Sequence, residues 1–438
     1  NTNVTVDYYG TYTFRWTETN GPCSNYVDVT VTYYENPDGA SAGLDITSDC
    51  DSKSVNLAGT AHTYEDSPST HTGSSRGWSY VSGPDNTPSF TSPTSPTSEV
   101  IVDYFGTYEF EWTETNGNCT VSDRVTVTFY ERPDAASAGT APVPACDALT
   151  VTLAGTEHTY DPLPNINAGT KSWSVVNKPD ATSTVTFGNS SDPASTVTVN
   201  HYGTYTLRWT ETNGNCTVSS DITFTFHEMP DGASAGAPPS PVCGALTTAL
   251  AGTEHSYAPS PNVNAGTQSW SVISKPDITS TVTFINISNP TSGITVNHYG
   301  TYTLRWTEIN GNCEYSPPDI TFTFYEAPTV SVTPVADVCR DHSLAVIPVS
   351  GTFGGGASSA SWSIITGGGS LQNINIAGNT VSAEYLPVYS DVTTGGITLR
   401  LSTNDPAGPC TSVSADLSIN IDEAVYVVID QAPEIIIA

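Results

Sequence analysis

One fifteen-residue segment occurs four times in this chain. It reads "YGTYTFRWTETNGPC" at 9–23, "FGTYEFEWTETNGNC" at 105–119, "YGTYTLRWTETNGNC" at 202–216 and "YGTYTLRWTEINGNC" at 299–313. Its tryptophans, Trp16, Trp112, Trp209 and Trp306, are 96, 97 and 97 residues apart. Solenoid repeats run about 20–50 residues, so this period is too long for them. It fits whole domains in tandem, each large enough to bury a core of its own.

Linkers of one kind mark the boundaries: "ENPDGASAG" from Glu35, "ERPDAASAG" from Glu131, "EMPDGASAG" from Glu228 and "EAPTVSV" from Glu326. Each follows an alternating run and breaks it with proline, which cannot donate to a sheet ladder. Domains are placed at 37–132, 133–229, 230–327 and 328–423. Residues 1–36 align with 97–132 and read as the C-terminal half of an incomplete domain, and 424–438 as the start of a following element. Three strands with one apolar face cannot close a sandwich. Upstream sequence is the expected source of the missing strands, and strands added by another copy are the alternative.

Within a repeat the apolar period is two. "TYTLRW" at 204–209 puts Tyr205, Leu207 and Trp209 on one face, and "KSWSVV" at 171–176 does so with Trp173 and Val175. Such runs are separated by turn residues, and no helical pattern of ten residues occurs, which argues for an all-β antiparallel sandwich. The Asn-Gly of "TNGNC" predicts a hairpin between the last two strands. The expected structural core comprises Tyr12, Trp16, Trp78, Tyr108, Trp112, Trp173, Tyr205, Trp209, Trp270, Tyr302, Trp306 and Trp362. Tyr205 stands where sandwich domains place a corner tyrosine, whose hydroxyl caps a nearby loop. The last domain keeps Trp362 but has "GGITLRLSTNDPAGPC" in place of the repeated segment.

Acidic residues number 44 against 12 basic ones, a formal net charge of −32. Such a surface repels nucleic acid and anionic membranes. No apolar run approaches the roughly 18–20 residues that span a bilayer, so membrane insertion is not expected.

The nine cysteines follow a rule. Cys50 and Cys119 are 69 apart, Cys146 and Cys216 are 70, Cys243 and Cys313 are 70, and Cys339 and Cys410 are 71. Constant spacing predicts one disulfide inside each domain, hence an oxidising, extracellular compartment. A loop of that length is worth about 4.4 kcal/mol in the chain-entropy model. It would leave about 27 residues of each repeat extensible at about 3.5 Å apiece. Cys23 is left without a partner in the chain. Zinc is a poor alternative, because no Cys-x-x-Cys pair or paired histidine ligands occur.

These segments, with "SWSVVNKPD" and "WSYVSGPD", resemble the tandem Ig-like and PKD-like domains of giant secreted surface proteins of Bacteroidota. The final domain, with "GTFGGGASSASWSI", is similar to a second module of the same proteins. The resemblance implies a structural stalk or filament of gliding or adhesion type on the cell surface, exported by the type IX route. Its implied partners are neighbouring domains of one long chain or other copies in a filament.

No nucleophile elbow, His-Glu-x-x-His, phosphate loop or EF-hand pattern occurs, so no enzyme is expected and no catalytic or metal-binding residue is assigned. His158, His255, His201 and His298 recur at fixed places and read as structural. No cofactor is expected. Ca²⁺ at interdomain carboxylates such as Glu211, Glu228 and Asp231 is the alternative. Consecutive tyrosines at 33 and 34 require one ring to face outward, so a carbohydrate-binding adhesin with surface glycans as ligands is the rival function. Accessory domains of a secreted enzyme are a second rival. Asn118, Asn189, Asn215 and Asn286 begin glycosylation acceptor patterns.

Overall fold

The computed structural model describes residues 1–65, 74–84, 87–160, 169–258, 266–340 and 345–425. Strands account for 51% of the chain and helix for 1%, so the fold is all-β. The described residues fall into two compact units, one up to His227 and one from Glu228 onward. Of the segment 424–438 only Ala424 and Val425 are described, so the expectation of a following element lies outside the described residues.

In the first unit, residues 37–132 form a two-sheet sandwich. One sheet runs Ile46–Thr47, Cys119–Phe129, Gly106–Asn116, Ser75–Ser82, and the other runs Ser54–Asn56, Glu99–Ile101, Ser89–Phe90. Residues 133–229 repeat the plan with Thr170–Asn177, Gly203–Asn213 and Cys216–Phe226 over Thr150–Thr152, Thr196–Val199 and Val185–Phe187. In the second unit, 230–327 repeat it again, and the last repeat packs two four-stranded sheets. Nearly all pairing is antiparallel. Among the described residues the exceptions are short strands near the start of a repeat that run parallel to its last strand, with Ile46 beside Val127, Val242 beside Phe324 and Val338 beside Ile421. These two- and three-residue strands are too short to show an alternation in sequence.

The period-two reading explains the core. Along Gly203–Asn213 every second residue is buried, so Tyr205, Leu207 and Trp209 point inward together. Trp209 lies directly opposite Trp173 across the ladder, their rings 5.3 Å apart. The pairs Trp78–Trp112 and Trp270–Trp306 repeat this at 5.3 and 5.2 Å. Tilted aromatic pairs add attraction beyond the area they bury. The Tyr108, Tyr205 and Tyr302 hydroxyls each donate to a carbonyl four residues earlier, at 2.8 Å. Trp362 is buried in the last repeat and donates to the Val381 carbonyl.

Residues 1–36 differ. Among the described residues their strands, Gly10–Asn20 and Cys23–Tyr33, pair only with each other. Trp16 and Tyr12 are therefore not core residues here. Trp16 is 63% exposed and Tyr12 half-buried, because no second sheet among the described residues covers them.

Candidate functional site

The sites that recur are the junctions between repeats. Their origin lies in the inward face of the repeated strand. Two and four residues beyond Trp209 on that face come Glu211 and Asn213, both buried. A buried carboxylate must be hydrogen-bonded to be tolerated. Glu211 accepts the Trp209 indole N–H at 2.9 Å and the His158 backbone N–H at 3.2 Å. Asn213 donates through Nδ2 to the backbone carbonyl of linker residue Glu131 at 3.0 Å.

The Glu131 carboxylate, 8% exposed, lies 3.2 Å from Nε2 of His158. His158 Nδ1 accepts the Ala135 N–H, which leaves Nε2 as the nitrogen that carries the proton and donates to Glu131. The linker is thus clamped by the repeat it enters. The same parts stand at the preceding junction. Asn116 holds the Glu35 carbonyl at 3.1 Å, and His62 Nε2 lies 3.1 Å from the Glu35 carboxylate. In the second unit Asn310 holds the Glu228 carbonyl at 3.0 Å, with His255 Nε2 3.6 Å from the Glu228 carboxylate. Burial, with Glu211 and Glu131 nearby, raises the pKa of the Tyr160 hydroxyl beside His158.

The hairpin turn completes the clamp. Gly214 opens it at φ 59°, a conformation that favours glycine. A Cβ there would stand 2.3 Å from the Tyr130 ring, so the linker tyrosine lies directly over the turn. Tyr34 lies over Gly117 in the same way, and Tyr325 over Gly408. Tyr34 is therefore packed and only half-exposed, and Tyr33 meets Tyr12 edge-on at 5.9 Å. Neither ring is the outward platform that consecutive tyrosines suggested.

The disulfides differ most from expectation. Cys50 is bonded to Cys216, 166 residues away, and Cys243 to Cys410, 167 away. Cys146 and Cys313 are also disulfide-bonded. Cys119 and Cys339 are free, as is Cys23. The pairings Cys50–Cys119, Cys146–Cys216, Cys243–Cys313 and Cys339–Cys410 are thus corrected. Cys50–Cys216 and Cys243–Cys410 each join one repeat to the next. The reason is placement within the sandwich. Cys50 follows the first strand, where Asp51 N–H donates to the Tyr130 carbonyl of the outgoing linker. Cys119 sits at the hairpin tip, 3.9 Å from the Tyr34 carbonyl of the incoming linker. The two cysteines of a repeat therefore serve different junctions. Around Cys50–Cys216, Asn215 Nδ2 donates to the Ser48 carbonyl at 2.8 Å, so this glycosylation candidate is engaged in the joint.

Glu211 and Glu228 face N–H donors, and Asp231 is a surface residue 3.9 Å from His255 Nδ1. Among the described residues no group of three or more His, Cys, Asp or Glu side chains could hold a metal ion. His201 and His298 offer their backbone carbonyls to the corner tyrosines. In the last repeat a buried Asp391 accepts Gly368 N–H, Val388 N–H and the Tyr385 hydroxyl at 2.7–2.9 Å. Burial first, then Asp391, pushes the Tyr385 pKa up to about 12.

His62, Glu35 and the three clamping asparagines were not picked out from sequence. The available signal was a polar residue at an inward position, since Glu211 and Asn213 continue the Trp209 face.

No protein-family model matches the chain, and no curated protein does. Solved structures that resemble it include a three-Ig structure of titin domains I67–I69 in an E-to-A mutated variant, at 14% identity over 68% of this chain and 98% of that one, TM-score 0.35. Immunoglobulin domains 1–5 of Sidekick-1 match at 12% over 94% and 86%, TM-score 0.29. Four cadherin domains of Drosophila N-cadherin match at 12% over 87% and 99%, TM-score 0.25.

Proposed function

We propose that this chain is a load-bearing segment of a repetitive extracellular bacterial surface protein, a stalk or filament of adhesion or gliding type without catalysis. The observation that carries this reading is the bonding of consecutive repeats through Cys50–Cys216 and Cys243–Cys410. A disulfide that closes a loop of that length is worth about 5 kcal/mol in the chain-entropy model. It also redirects force. From Cys50 the shortest covalent path crosses to Cys216, follows 27 residues to Cys243 and crosses to Cys410. The residues between each bonded pair lie off that path. Their sandwiches can present surface without carrying tension.

The linker clamps serve the same end. At Glu35 and Glu131 the entry of the linker is fixed by a carboxylate, a backbone carbonyl and an aromatic ring. Disulfides suit an oxidising compartment, and among the described residues no helix is long and apolar enough to cross a membrane. The likeness of the repeated segments to those of Bacteroidota surface proteins supports export by the type IX route and neighbours of the same kind along the chain. Protease shaving of intact producing cells tests the reading. It should release peptides from residues 37–423. Recovery of those peptides only after lysis would contradict a surface role.

A further inference from the structure

We propose that the bare face of residues 10–33 and the free thiol of Cys119 form one docking surface. Its occupant is the front half of a repeat of this kind, seated by an antiparallel tryptophan strand and bonded to Cys119 through its loop cysteine. Two independent observations converge on this occupant.

The first is the face itself. Trp16, Val29 and Val31 are 63, 56 and 37% exposed, whereas their counterparts Trp112, Val125 and Val127 are at most 1% exposed. Among the described residues the strand Gly10–Asn20 is paired along one edge only. In each of the next three repeats the corresponding strand carries a further antiparallel neighbour that sets Trp78, Trp173 or Trp270 directly opposite. Gly21, at φ 58°, has nothing within 4 Å of a built Cβ, where Gly117 and Gly214 meet a linker tyrosine.

The second is the thiol. In the first repeat the front half that covers Trp112 also carries Cys50, and Cys50 bonds the hairpin cysteine of the next repeat, Cys216. Cys119 holds the same hairpin position as Cys216, each closing the strand pair opposite Asn116 or Asn213. A front half seated over Trp16 in the same way brings its loop cysteine to Cys119, not to Cys23 in its own repeat. The front halves carrying Trp78, Trp173 and Trp270 are already packed in their own repeats, so a second copy has none to lend. The bond forms by thiol–disulfide exchange: two protein thiols become one disulfide as glutathione disulfide is reduced to two glutathiones.

The test is a chimera in which a copy of residues 37–96 precedes Asn1 of the full chain, oxidised in a glutathione buffer. The expected product links the added cysteine to Cys119, and the free thiols fall from three to two, Cys23 and Cys339. Bonding of the added cysteine to Cys23 or to Cys339 would overturn the proposal, as would four free thiols. A second chimera carries serine for the added cysteine and separates docking from bonding. Acrylamide quenching of Trp16 should drop at least several-fold there without any disulfide, and unchanged quenching would overturn the docking. Dimers linked through Cys119 in the unmodified chain would also contradict it, since they would make a second copy the occupant.

Discussion

Cys50 is bonded to Cys216 of the following repeat, while Cys119 of its own repeat is free. The pairing makes a testable claim about thiols. Cys216→Ser should free Cys50 and raise the thiol count by one, and the second repeat should lose on the order of 5 kcal/mol of its cross-link stabilisation. Thiol titration and denaturant unfolding check both. A count that falls to two, through a new Cys50–Cys119 bond, would mean that either hairpin cysteine suits Cys50.

The stacking of Tyr130 on the hairpin turn predicts a site-specific penalty. Gly214→Ala must hold φ 59° and displace a ring that stands 2.3 Å from the new Cβ. Gly378→Ala, at φ 57° with nothing within 4 Å, carries the backbone strain alone, about 1–2 kcal/mol. Hydrogen exchange around Tyr130–Arg132 should speed up in the first variant only. Equal behaviour of the two would show that the ring contributes nothing to the joint.

His158 holds the buried Glu131 carboxylate and accepts the Ala135 N–H. Its replacement by alanine takes one hydrogen-bond partner from each, at a cost of about 1–3 kcal/mol. Calorimetry of the variant measures it, and a change below about 0.5 kcal/mol would leave the clamp without energetic weight.

Acid should loosen the first repeat through Asp123. The Ala42 N–H, then the Ser41 hydroxyl, hold its carboxyl below the usual carboxylate range. A lowered folded pKa contributes stability that is present above the unfolded value of about 3.9 and is lost as pH falls through the folded value. Urea midpoints between about pH 5 and 2 should therefore fall in the native chain and fall less in Asp123→Asn. Identical slopes would exclude this carboxylate as a source of the acid dependence.

The strand alternation, the corner tyrosines and the facing tryptophan pairs could be read from sequence because each depends on a period of two over several residues. The short parallel strands have no such span. The disulfide partners were hidden for a different reason. In a chain of period 97, a constant spacing near 70 within repeats entails a constant spacing near 167 to the next repeat. Spacing alone cannot choose between them. Only the location of Cys50 beside the outgoing linker and of Cys119 beside the incoming one decides the matter. The hairpin that the Asn-Gly of "TNGNC" predicts is present, and Asn213 has a second role in it. It ends the strand, paired with Cys216, and Gly214 alone takes the positive φ. Charge pairs tolerate exchange: Arg208 faces Asp221, and in the first repeat Glu111 faces Arg124, so the acid and base trade strands.

Single-molecule extension between handles at residues 50 and 410 tests the central claim most directly. With the observed bonds only the 27 residues from Cys216 to Cys243 can be drawn out, about 95 Å at about 3.5 Å per residue. After full reduction the same handles should separate by about 1,260 Å. Bonds within repeats would instead free three linkers and give about 280 Å before reduction. A non-reduced limit near 95 Å is the predicted result, and a limit near 280 Å would contradict load transfer between consecutive repeats.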